Sequence, residues 1–371
     1  MVEEIRELSS MRILQITIDN LRVFPHLEVW PETGINYFCG GNGAGKTTIL
    51  EAIYLSSRGR SFRHPLAGPM IRHGSVDALV GLKLLDSDDD NREHRLGLKR
   101  SKSVFECRFD GRDITKRSEL AALLPTQWIS SQPQALLEGG PGYRRQFVDM
   151  GLFHVEQDFL RSYAELRRVL RQRNALLKQR SSSSLESWDS PFAMAAQKIH
   201  AMRQDYIAEL LLRLSHIVSE WDMGFKVTSR YLPGWDPLRP LGEQLREKRD
   251  TDLRMGFTHI GPQRADIRFS VAGADADKLL SRGQQKMLVI ALNIAQVDAI
   301  RARRPDLDPV ILLDDLNAEL DSSNQGKVLA AFRERKVQAF VTGISDPPAE
   351  HRKAIALFHV EHAAVDLRCG S

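Results

Sequence analysis

The first third of the chain alternates between apolar and polar residues in a way that predicts β-strands. In "RILQITIDNLRV", residues 12–23, every second residue shares a side, as in a strand with one buried face. "GINYFCGGNGAGKTTILEAIYLSS" predicts a strand, a glycine-rich loop and a helix, in that order. "DALVGLKLLD" and "EHRLGLKR" predict a hairpin whose tip is the acidic, solvated loop "SDDDN".

The middle of the chain changes to helical periodicity. "FLRSYAELRRVLRQRNALLKQR", residues 159–180, predicts a helix with one apolar face, formed by Leu160, Tyr163, Leu166, Leu170 and Leu177. A longer helix is predicted after the serine run that follows. Its apolar residues are Phe192, Ile199, Tyr206, Leu210, Leu214, Ile217 and Trp221. Two long amphipathic helices joined by a serine-rich turn predict an antiparallel arm.

The last third returns to alternating helices and strands, so the chain is predicted to be an α/β protein. The strands "PVILLDD", "VQAFVTGIS" and "AIALFHVEH" follow a helix that begins near Gly283, and a further helix is predicted from Lys327 to Arg335. The interpretation is one α/β head domain split by a helical insertion. Its parts are an N-terminal extension, 1–10, a first head segment, 11–145, the arm, 146–245, and a second head segment, 246–371.

Composition is that of a globular protein, because 42% of the 371 residues are hydrophobic and 27% are charged. No apolar run approaches the roughly 18 residues of a membrane span. "MVEEIRELSS" lacks the apolar segment of a secretory signal, and Met11 is the expected working start. Cys39, Cys107 and Cys369 fit no zinc pattern, so a reduced cytoplasmic protein is expected. The net charge of +4 is compatible with a nucleic-acid partner without requiring one.

A phosphate-binding loop is predicted at "GGNGAGKT", which satisfies G-x-x-x-x-G-K-[ST] in full. Glycines let the backbone turn its N–H groups toward phosphate oxygens, and the following helix points its positive end at the same anion. A chance match is disfavoured because an apolar strand precedes the loop and a helix follows it. The predicted nucleotide-binding residues here are Gly40, Gly41, Asn42, Gly43, Ala44, Gly45, Lys46, Thr47 and Thr48.

A P-loop needs a second metal ligand, and "VILLDD" supplies a buried strand that ends in two carboxylates. We expect Asp314 and the Thr47 hydroxyl to hold Mg²⁺, and Asp315 to orient or deprotonate the attacking water. Together with Lys46, which reaches the outer phosphates of ATP, these aspartates are the predicted catalytic residues. Alone, the pair would indicate a solvated end of a strand; the P-loop changes that interpretation.

"LLSRGQQKMLVIALNIAQ", residues 279–296, lies between the two phosphate motifs. It predicts a helix that is apolar on almost every face after a polar start. The order P-loop, arm, "LSRGQ", "ILLDD", "LNAELD" resembles the ABC ATPases. The resemblance implies that Ser281, Gly283 and Gln284 cap the γ-phosphate of ATP bound to a second copy, so that ATP produces a homodimer. Without the flanking motifs, a serine-capped core helix would be the better interpretation.

The same resemblance implies two further site residues. Asp321 corresponds to the D-loop, near the dimer interface, and Gln132 is the candidate Q-loop glutamine, with Gln127 and Gln134 as alternatives. Transporters of this superfamily place a switch histidine after the strand that corresponds to "AFVT". Here the chain reads "GIS", residues 343–345, so no residue is assigned to that role.

Within the superfamily the chain resembles the RecF family from about Met11 to about Ser345. The segments that carry this resemblance are "IDNLRVF", "GGNGAGKTTILEAIYLSSRGRSFR", "LLEGGPGYRRQFVD", "HIGPQRADI", "LSRGQQKMLVIALNIAQ" and "LLDDLNAELD". Gln263 and Ala265 depart from the family's "GPHRDD", and Ser131–Gln132 stands where a Pro-Glu pair is common. The resemblance implies a cytoplasmic ATPase that binds single-stranded and gapped duplex DNA, works with RecR and RecO to load RecA, and supports replication, repair and SOS induction.

The segment from Arg161 to Arg180 contains seven basic residues and one acid. A basic helix face can follow phosphates, but a solvated outer face explains such a run equally well. Three rival functions remain: a transporter ATPase subunit, a cohesin-like structural ATPase and an ATP-driven repair nuclease. The first expects the switch histidine, the second a far longer coiled coil, and the third an additional metal cluster of acids and histidines.

Overall fold

The computed structural model describes residues 11–64, 66, 68–86, 92–132, 134–180 and 184–368, with the backbone alone at residue 368. The N-terminal extension, 1–10, the acidic hairpin tip, 87–91, and Cys369 lie outside the described residues. The chain forms two compact units. Unit 1 holds the described residues up to 132 and from 304 onward, and unit 2 holds residues 134–303. These bounds differ from the predicted segments, and the division into a head and an inserted arm remains a prediction.

In chain order the strands are β1 (Met11–Leu21), β2 (Phe24–Val29), β3 (Ile35–Cys39), β4 (Asp77–Asp86), β5 (Glu93–Ser101), β6 (Phe105–Phe109), β7 (Arg112–Asp113), β8 (Thr126–Ile129), β9 (Val227–Leu232), β10 (Asp266–Val271), β11 (Ala274–Asp275), β12 (Val310–Leu313), β13 (Ala339–Gly343), β14 (Ile355–Glu361) and β15 (Ala364–Arg368). The α-helices are α1 (Lys46–Arg58), α2 (Arg117–Leu123), α3 (Ala135–Glu138), α4 (Pro141–Val155), α5 (Phe159–Lys178), α6 (Glu186–Glu220), α7 (Leu241–Glu247), α8 (Arg249–Met255), α9 (Ala276–Leu279), α10 (Arg282–Arg303) and α11 (Ser322–Glu334).

Unit 1 contains a sheet in the order β15-β14-β3-β13-β12-β8, in which all neighbours except β15 and β14 run parallel. Strands β3, β12 and β13 are buried at every residue, as expected of parallel strands covered on both faces. The P-loop follows β3 and the aspartate pair follows β12. Because parallel strands end at the same edge of a sheet, the fold brings the two motifs together there.

A second sheet in unit 1 is antiparallel, in the order β2-β1-β4-β5-β6-β7. The predicted hairpin is its β4–β5 pair, in which Gly81 lies opposite Gly97. Helix α1 contacts strands of both sheets and buries Ile49, Leu50 and Ile53 completely. The P-loop helix therefore belongs to the hydrophobic core of the unit, which fixes the direction of its N-terminus.

Unit 2 contains the two long helices that the sequence predicted. Lys198 of α6 lies near Asp158, at the start of α5, and Asp189 of α6 lies near Arg173, toward the end of α5, so the pair is antiparallel. The predicted apolar face of α6, from Phe192 to Trp221, is buried.

The apolar face predicted for α5 was wrong in part. Its buried residues are Phe159, Ser162, Leu166, Val169, Arg173 and Leu177. Of the five predicted positions, Leu166 and Leu177 are therefore buried, whereas the other three are half-buried. The buried stripe follows the 3.6-residue period and accepts a charged residue, Arg173, because carboxylates of unit 2 surround it.

Helix α10 is buried at every residue from Gln285 to Val297, which confirms the prediction that this helix is anchored in the core. It packs against α4 and α6 inside unit 2. Unit 2 also contains a three-stranded sheet in the order β11-β10-β9. Among the described helices, none is long and apolar enough to cross a membrane.

Candidate nucleotide site

The loop of residues 40–47 leaves β3 and enters α1 in a conformation that only glycine accepts at two points. Gly40 has a φ of 154°, and a Cβ atom there would lie 2.1 Å from the carbonyl oxygen of Val360. Gly45 has a φ of 116°, and its Cβ would lie 2.5 Å from a ring carbon of Phe24. The predicted strand, glycine loop and helix are therefore present, and the loop is held close to its neighbours.

Lys46 begins α1 and turns its side chain back over the loop. Its Nζ donates hydrogen bonds to the carbonyl oxygens of Gly40 and Gly41, both at 2.8 Å. Burial lowers the pKa of this ammonium group, and the charges of Asp315 and Asp314 partly offset that effect. The structure thus holds a desolvated cation at the phosphate loop, where an anion would be its natural partner.

Asp314 follows β12, and its Oδ1 accepts two hydroxyl hydrogen bonds. The Thr47 Oγ1 donates at 2.8 Å and the Thr342 Oγ1 donates at 2.7 Å. Thr342 was not predicted from the sequence. It lies at the end of β13, the strand between β3 and β12, and only the strand order reveals that its hydroxyl faces the carboxylate.

Asp315 adopts a left-handed conformation with a φ of 56°, which is uncommon for a residue with a side chain. Its N–H donates to the Thr342 Oγ1 at 2.8 Å. One threonine hydroxyl therefore contacts both aspartates, and it fixes the turn by which the chain leaves β12. Backbone strain of this kind is concentrated at functional sites.

These groups line a cleft of about 530 Å³ in unit 1. Its wall includes the ring of Phe62 stacked on Trp128, with ring centroids 3.8 Å apart. The complete lining is Arg22, Val23, Asn42, Gly43, Gly45, Lys46, Thr47, Thr48, Phe62, Arg63, Trp128, Ser130, Ser131, Asp314, Asp315, Thr342 and Ile344. Sequence reasoning missed the residues from the β1–β2 turn, from the loop after α1 and from the end of β8, since no local motif marks them.

The candidate Q-loop residue is not among the lining residues. Ser130 and Ser131 face the cleft, whereas Gln132 is exposed. Of the alternatives, Gln127 is buried within β8 and Gln134 is buried in unit 2. The assignment of a Q-loop glutamine stays a prediction.

The signature residues lie in unit 2, at the start of α10. The Ser281 N–H donates to the Gln284 Oε1 at 3.0 Å, and the Gln284 N–H donates to the Ser281 Oγ at 3.3 Å, which is a capping box. Arg282 donates to the Glu138 Oε1 at 2.6 Å, and Gly283 is half-buried beside it. Ser281, Arg282 and Gln284 are exposed at this helix start.

Asp321 forms the N-cap of α11, where its Oδ1 accepts from the Asn324 N–H at 2.8 Å. The segment before it is tied to the P-loop strand, because the Tyr37 hydroxyl of β3 donates to the Asn317 Oδ1 at 2.9 Å. A Cβ atom at Gly343 would lie 2.0 Å from both of these oxygens. The segment before the predicted D-loop is thus packed closely against β3 and β13. Within the described ranges, no cluster of three or more histidine, cysteine or acidic side chains is arranged to hold a metal ion.

Comparison with known proteins identifies the family. The RecF/RecN/SMC N-terminal domain matches residues 12–365. The DNA replication and repair protein RecF of Stenotrophomonas maltophilia is 37% identical over 364 residues, which cover 96% of this chain and 99% of that protein. The protein of the same name from Azotobacter vinelandii is 36% identical over 369 residues, covering 96% and 98%. The chain belongs to the RecF family. The resemblance to the RecF family that the motifs carry is therefore confirmed.

Solved structures agree on the fold. A structure of the recombination mediator protein RecF with ATP, from the RecFOR pathway, superposes with a TM-score of 0.83 at 22% identity and covers 98% of this chain and 99% of that one. The Smc head domain of Pyrococcus furiosus superposes with a TM-score of 0.61 at 16% identity, covering 97% and 96%. The predicted α/β fold of an ABC-type P-loop ATPase is confirmed.

Proposed function

We propose that the protein is an ATP-dependent, DNA-binding switch of recombinational gap repair and replication. The observation that supports this function best is the convergence of Lys46, Thr47, Asp314 and Asp315 on one cleft. Membership of a family named for DNA replication and repair supports the biological setting. ATP is the proposed nucleotide because a RecF of the same fold was solved with it.

The residues present fit a magnesium nucleotide. The Thr47 hydroxyl and the Asp314 carboxylate are the hard oxygen ligands that Mg²⁺ prefers, and they lie 2.8 Å apart. Mg²⁺ would supply charge neutralisation for the outer phosphates. Lys46 would exchange the carbonyl oxygens of Gly40 and Gly41 for phosphate oxygens, which would restore the stabilisation that burial removes from its charge. Thr342 would keep Asp314 oriented toward the metal.

Asp315 is the proposed group that orients or deprotonates the attacking water. An aspartate is one methylene shorter than the glutamate common at this position in ABC ATPases. Proton transfer needs heavy atoms within roughly 3 Å, or one bridging water. A carboxylate that reaches less far supports slow hydrolysis. We therefore propose a weak, DNA-stimulated ATPase whose hydrolysis limits the lifetime of the ATP-bound state.

ATP is proposed to join two copies of the protein. The support is the exposed start of α10, where Ser281 and Gln284 cap each other and form a polar helix end that a γ-phosphate could reach. Gly283 would permit the close approach, and Asp321 would lie near the interface. The Arg282–Glu138 pair would set the position of the arginine that distinguishes this signature.

Part of the basic helix α5 is proposed to contact DNA. Arg173 is excluded from that role because it is fully buried and hydrogen-bonded to Asp189, Asp252 and Thr258. Arg168 is bound to Glu165. The cations that remain exposed are Arg161, Arg167, Arg171, Lys178 and Arg180, and we call them the arm face.

The proposed cellular role follows from the family alone. The protein would act in the cytoplasm on single-stranded and gapped duplex DNA, together with RecR and RecO, to help load RecA and permit SOS induction. A pull-down of RecR and a gel-shift on gapped DNA, each with and without ATP, test these partners. Retention of neither RecR nor gapped DNA in any nucleotide state would contradict the proposed role.

Sedimentation of the pure protein tests the switch itself. We expect a monomer without nucleotide and with ADP, and a dimer with ATP and Mg²⁺. Ser281→Arg should bind ATP normally but remain monomeric, because it places bulk and charge where the γ-phosphate must sit, whereas Ser281→Thr, which keeps the hydroxyl, should still dimerise. A Ser281→Arg protein that dimerises with ATP would show that the signature does not cap a second nucleotide.

A further inference from the structure

Basic residues lie near the C-terminal end of α1, the end farther from the P-loop. Gly59 is the C-cap of α1, and a Cβ atom at this position would lie 3.1 Å from the Arg117 Cγ and 3.2 Å from the Phe105 ring. Arg100 lies directly opposite Phe105 in the β5–β6 pair, with its guanidinium carbon 5.6 Å from the ring centroid. Arg100 and Arg117 therefore lie at Phe105 and at Gly59, and Arg60, Lys102 and Lys116 are within two residues of these positions in the chain. The five cations, Arg60, Arg100, Lys102, Lys116 and Arg117, are called the basic patch.

The cations of the basic patch are not held in ion pairs among the residues that the structure describes. Within the part of the chain that the structure describes, its five cations form no ion pair, although Lys99 is paired with Asp77 and Arg108 with Asp113. Four of the five are exposed and Arg100 is half-buried. Glu119, three residues after Lys116, is buried, and its carboxylate accepts from a backbone N–H. A concentrated positive charge therefore faces solvent.

Helix electrostatics do not explain this arrangement. A helix C-terminus carries about half a negative charge, so one cation beside Gly59 would complement α1. Lys116 and Arg117, however, occupy the N-cap and the first residue of α2, where the helix dipole opposes positive charge. The dipole of α1 accounts for one cation, and the dipole of α2 opposes two of them. The accumulation of five cations at this place therefore indicates an external anion.

We propose that the basic patch holds the phosphate backbone of duplex DNA. This inference rests on the proposed function, since it assigns a surface to the DNA partner. Single-strand binding sites stack bases on open aromatic rings. Here Phe105 is half-buried and covered by Arg100 and by the backbone at Gly59, so the surface offers charge and no stacking platform. Exposed cations without an accessible aromatic ring are suited to the regularly spaced phosphates of a duplex.

The position of the basic patch connects DNA to the nucleotide. Helix α1 has 13 residues and spans about 20 Å, with Lys46 at one end and the patch at the other. The helix is buried against both sheets, so it moves as a rigid element. A duplex held at its C-terminus would therefore be coupled to the phosphate loop at its N-terminus.

The test compares two triple variants by fluorescence anisotropy with labelled duplex DNA over a series of salt concentrations, with ATP and Mg²⁺ present. The patch variant is Arg60→Gln, Lys102→Gln and Arg117→Gln. The control variant is Arg333→Gln, Lys336→Gln and Lys353→Gln, which removes the same charge from exposed residues elsewhere in unit 1. ATP affinity and thermal midpoint are measured for both, so that misfolding is recognised.

We expect the patch variant to bind duplex DNA roughly ten- to a hundredfold more weakly. The slope of log affinity against log salt should fall in magnitude by about 0.9 for each phosphate that the variant no longer neutralises. The control variant should bind like the wild type. If the wild type binds DNA and the patch variant binds equally with an unchanged slope, the patch assignment is wrong while the proposed function stands. Equal weakening in both variants would also overturn it, since it would reflect net charge alone.

Two other results would also overturn the patch assignment, and the first of them would remove the DNA-binding function as well. A wild type that binds no DNA in any nucleotide state would remove both the assignment and the DNA-binding function. If the patch instead bound a polyglutamate probe more tightly than duplex DNA, the partner would be an acidic protein segment, and the nucleic-acid assignment would fail. ATP-dependent dimerisation, measured separately, would remain unaffected by that second result.

Discussion

Replacing Thr342 by valine removes one hydroxyl that two site residues share. Thr342 is 1% exposed, and its Oγ1 donates to the Asp314 Oδ1 at 2.7 Å and accepts from the Asp315 N–H at 2.8 Å. Valine has nearly the same shape, so the change leaves no cavity. It leaves the Asp315 N–H without its acceptor and removes one donor from the Asp314 carboxylate.

The magnitude follows from these two hydrogen bonds. An unsatisfied buried donor costs about 1 to 3 kcal/mol, and a hydrogen bond to a charged group contributes about 1.5 to 3 kcal/mol. Because one atom makes both bonds, the two effects are not fully additive. We expect the free energy of unfolding to fall by about 2 to 4 kcal/mol. Nucleotide affinity in the presence of Mg²⁺ should fall about tenfold, which corresponds to about 1.4 kcal/mol, since Asp314 would no longer be held in its binding orientation.

Denaturant unfolding and nucleotide titration with and without Mg²⁺ measure the two effects. Thr342→Ser is the matched control, because it keeps the hydroxyl and removes only a methyl group. The serine variant should retain the Mg²⁺-dependent gain in affinity, and valine should lose it. If the valine variant unfolds like the serine variant and keeps the full Mg²⁺-dependent gain, Thr342 does not orient the carboxylate and the reasoning is refuted.

Other substitutions test the site at separate points. Lys46→Ala should abolish productive ATP binding in a nucleotide titration, and unchanged affinity would remove the P-loop assignment. Asp315→Asn, which tolerates the left-handed backbone, should slow hydrolysis and lengthen dimer and DNA-complex lifetimes after an ATP chase; a wild-type hydrolysis rate would contradict this. Gly343→Ala should lower stability by about 1 to 3 kcal/mol by colliding with the Tyr37 hydroxyl, whereas Gly34→Ala, which meets nothing within 4 Å, should not. Neutralising the arm face should weaken DNA binding and flatten its salt dependence; no change would leave it a solvated surface.

The features predicted from sequence are those in which neighbouring residues carry the whole pattern. The P-loop depends on consecutive residues whose backbone must curve, so the motif at 40–47 specifies its own geometry. The strand before Asp314 is apolar at every position because it is buried on both faces. Helix α10 is apolar at most positions from Met287 to Val297, and its burial was predicted from that pattern, although polar side chains such as Gln285 and Asn293 are buried with it.

The features that were missed depend on contacts between distant segments. Thr342 is 28 residues from Asp314 in the chain, and the hydrogen bond exists because β13 lies between β3 and β12. A strand order of this kind cannot be obtained from the periodicity of one segment. The residues that the β1–β2 turn adds to the cleft, Arg22 and Val23, are distant from both phosphate motifs in sequence.

Arg173 shows how a charge run misleads. Counting charge between Arg161 and Arg180 treats every arginine as solvated. Arg173 is, however, in phase with Leu166 and Leu177, and the structure buries it with Asp189 and Asp252. Phase along the helix, rather than the number of charges, separates a structural arginine from one available to a phosphate.

No residue was assigned as a switch histidine from the sequence, and the structure shows which side chain follows β13. At the carboxyl end of β13, where transporters of the superfamily place the histidine, Ile344 is 51% exposed and lines the cleft. An isoleucine can neither donate a hydrogen bond to a γ-phosphate nor take up a proton, so this wall contributes shape without charge. We propose that the terminal phosphate is sensed by Lys46, by the two aspartates and by a signature supplied by a second copy. A site with fewer polar groups of its own depends more strongly on that second copy, and we infer that hydrolysis by the monomer is slower still than hydrolysis by the dimer.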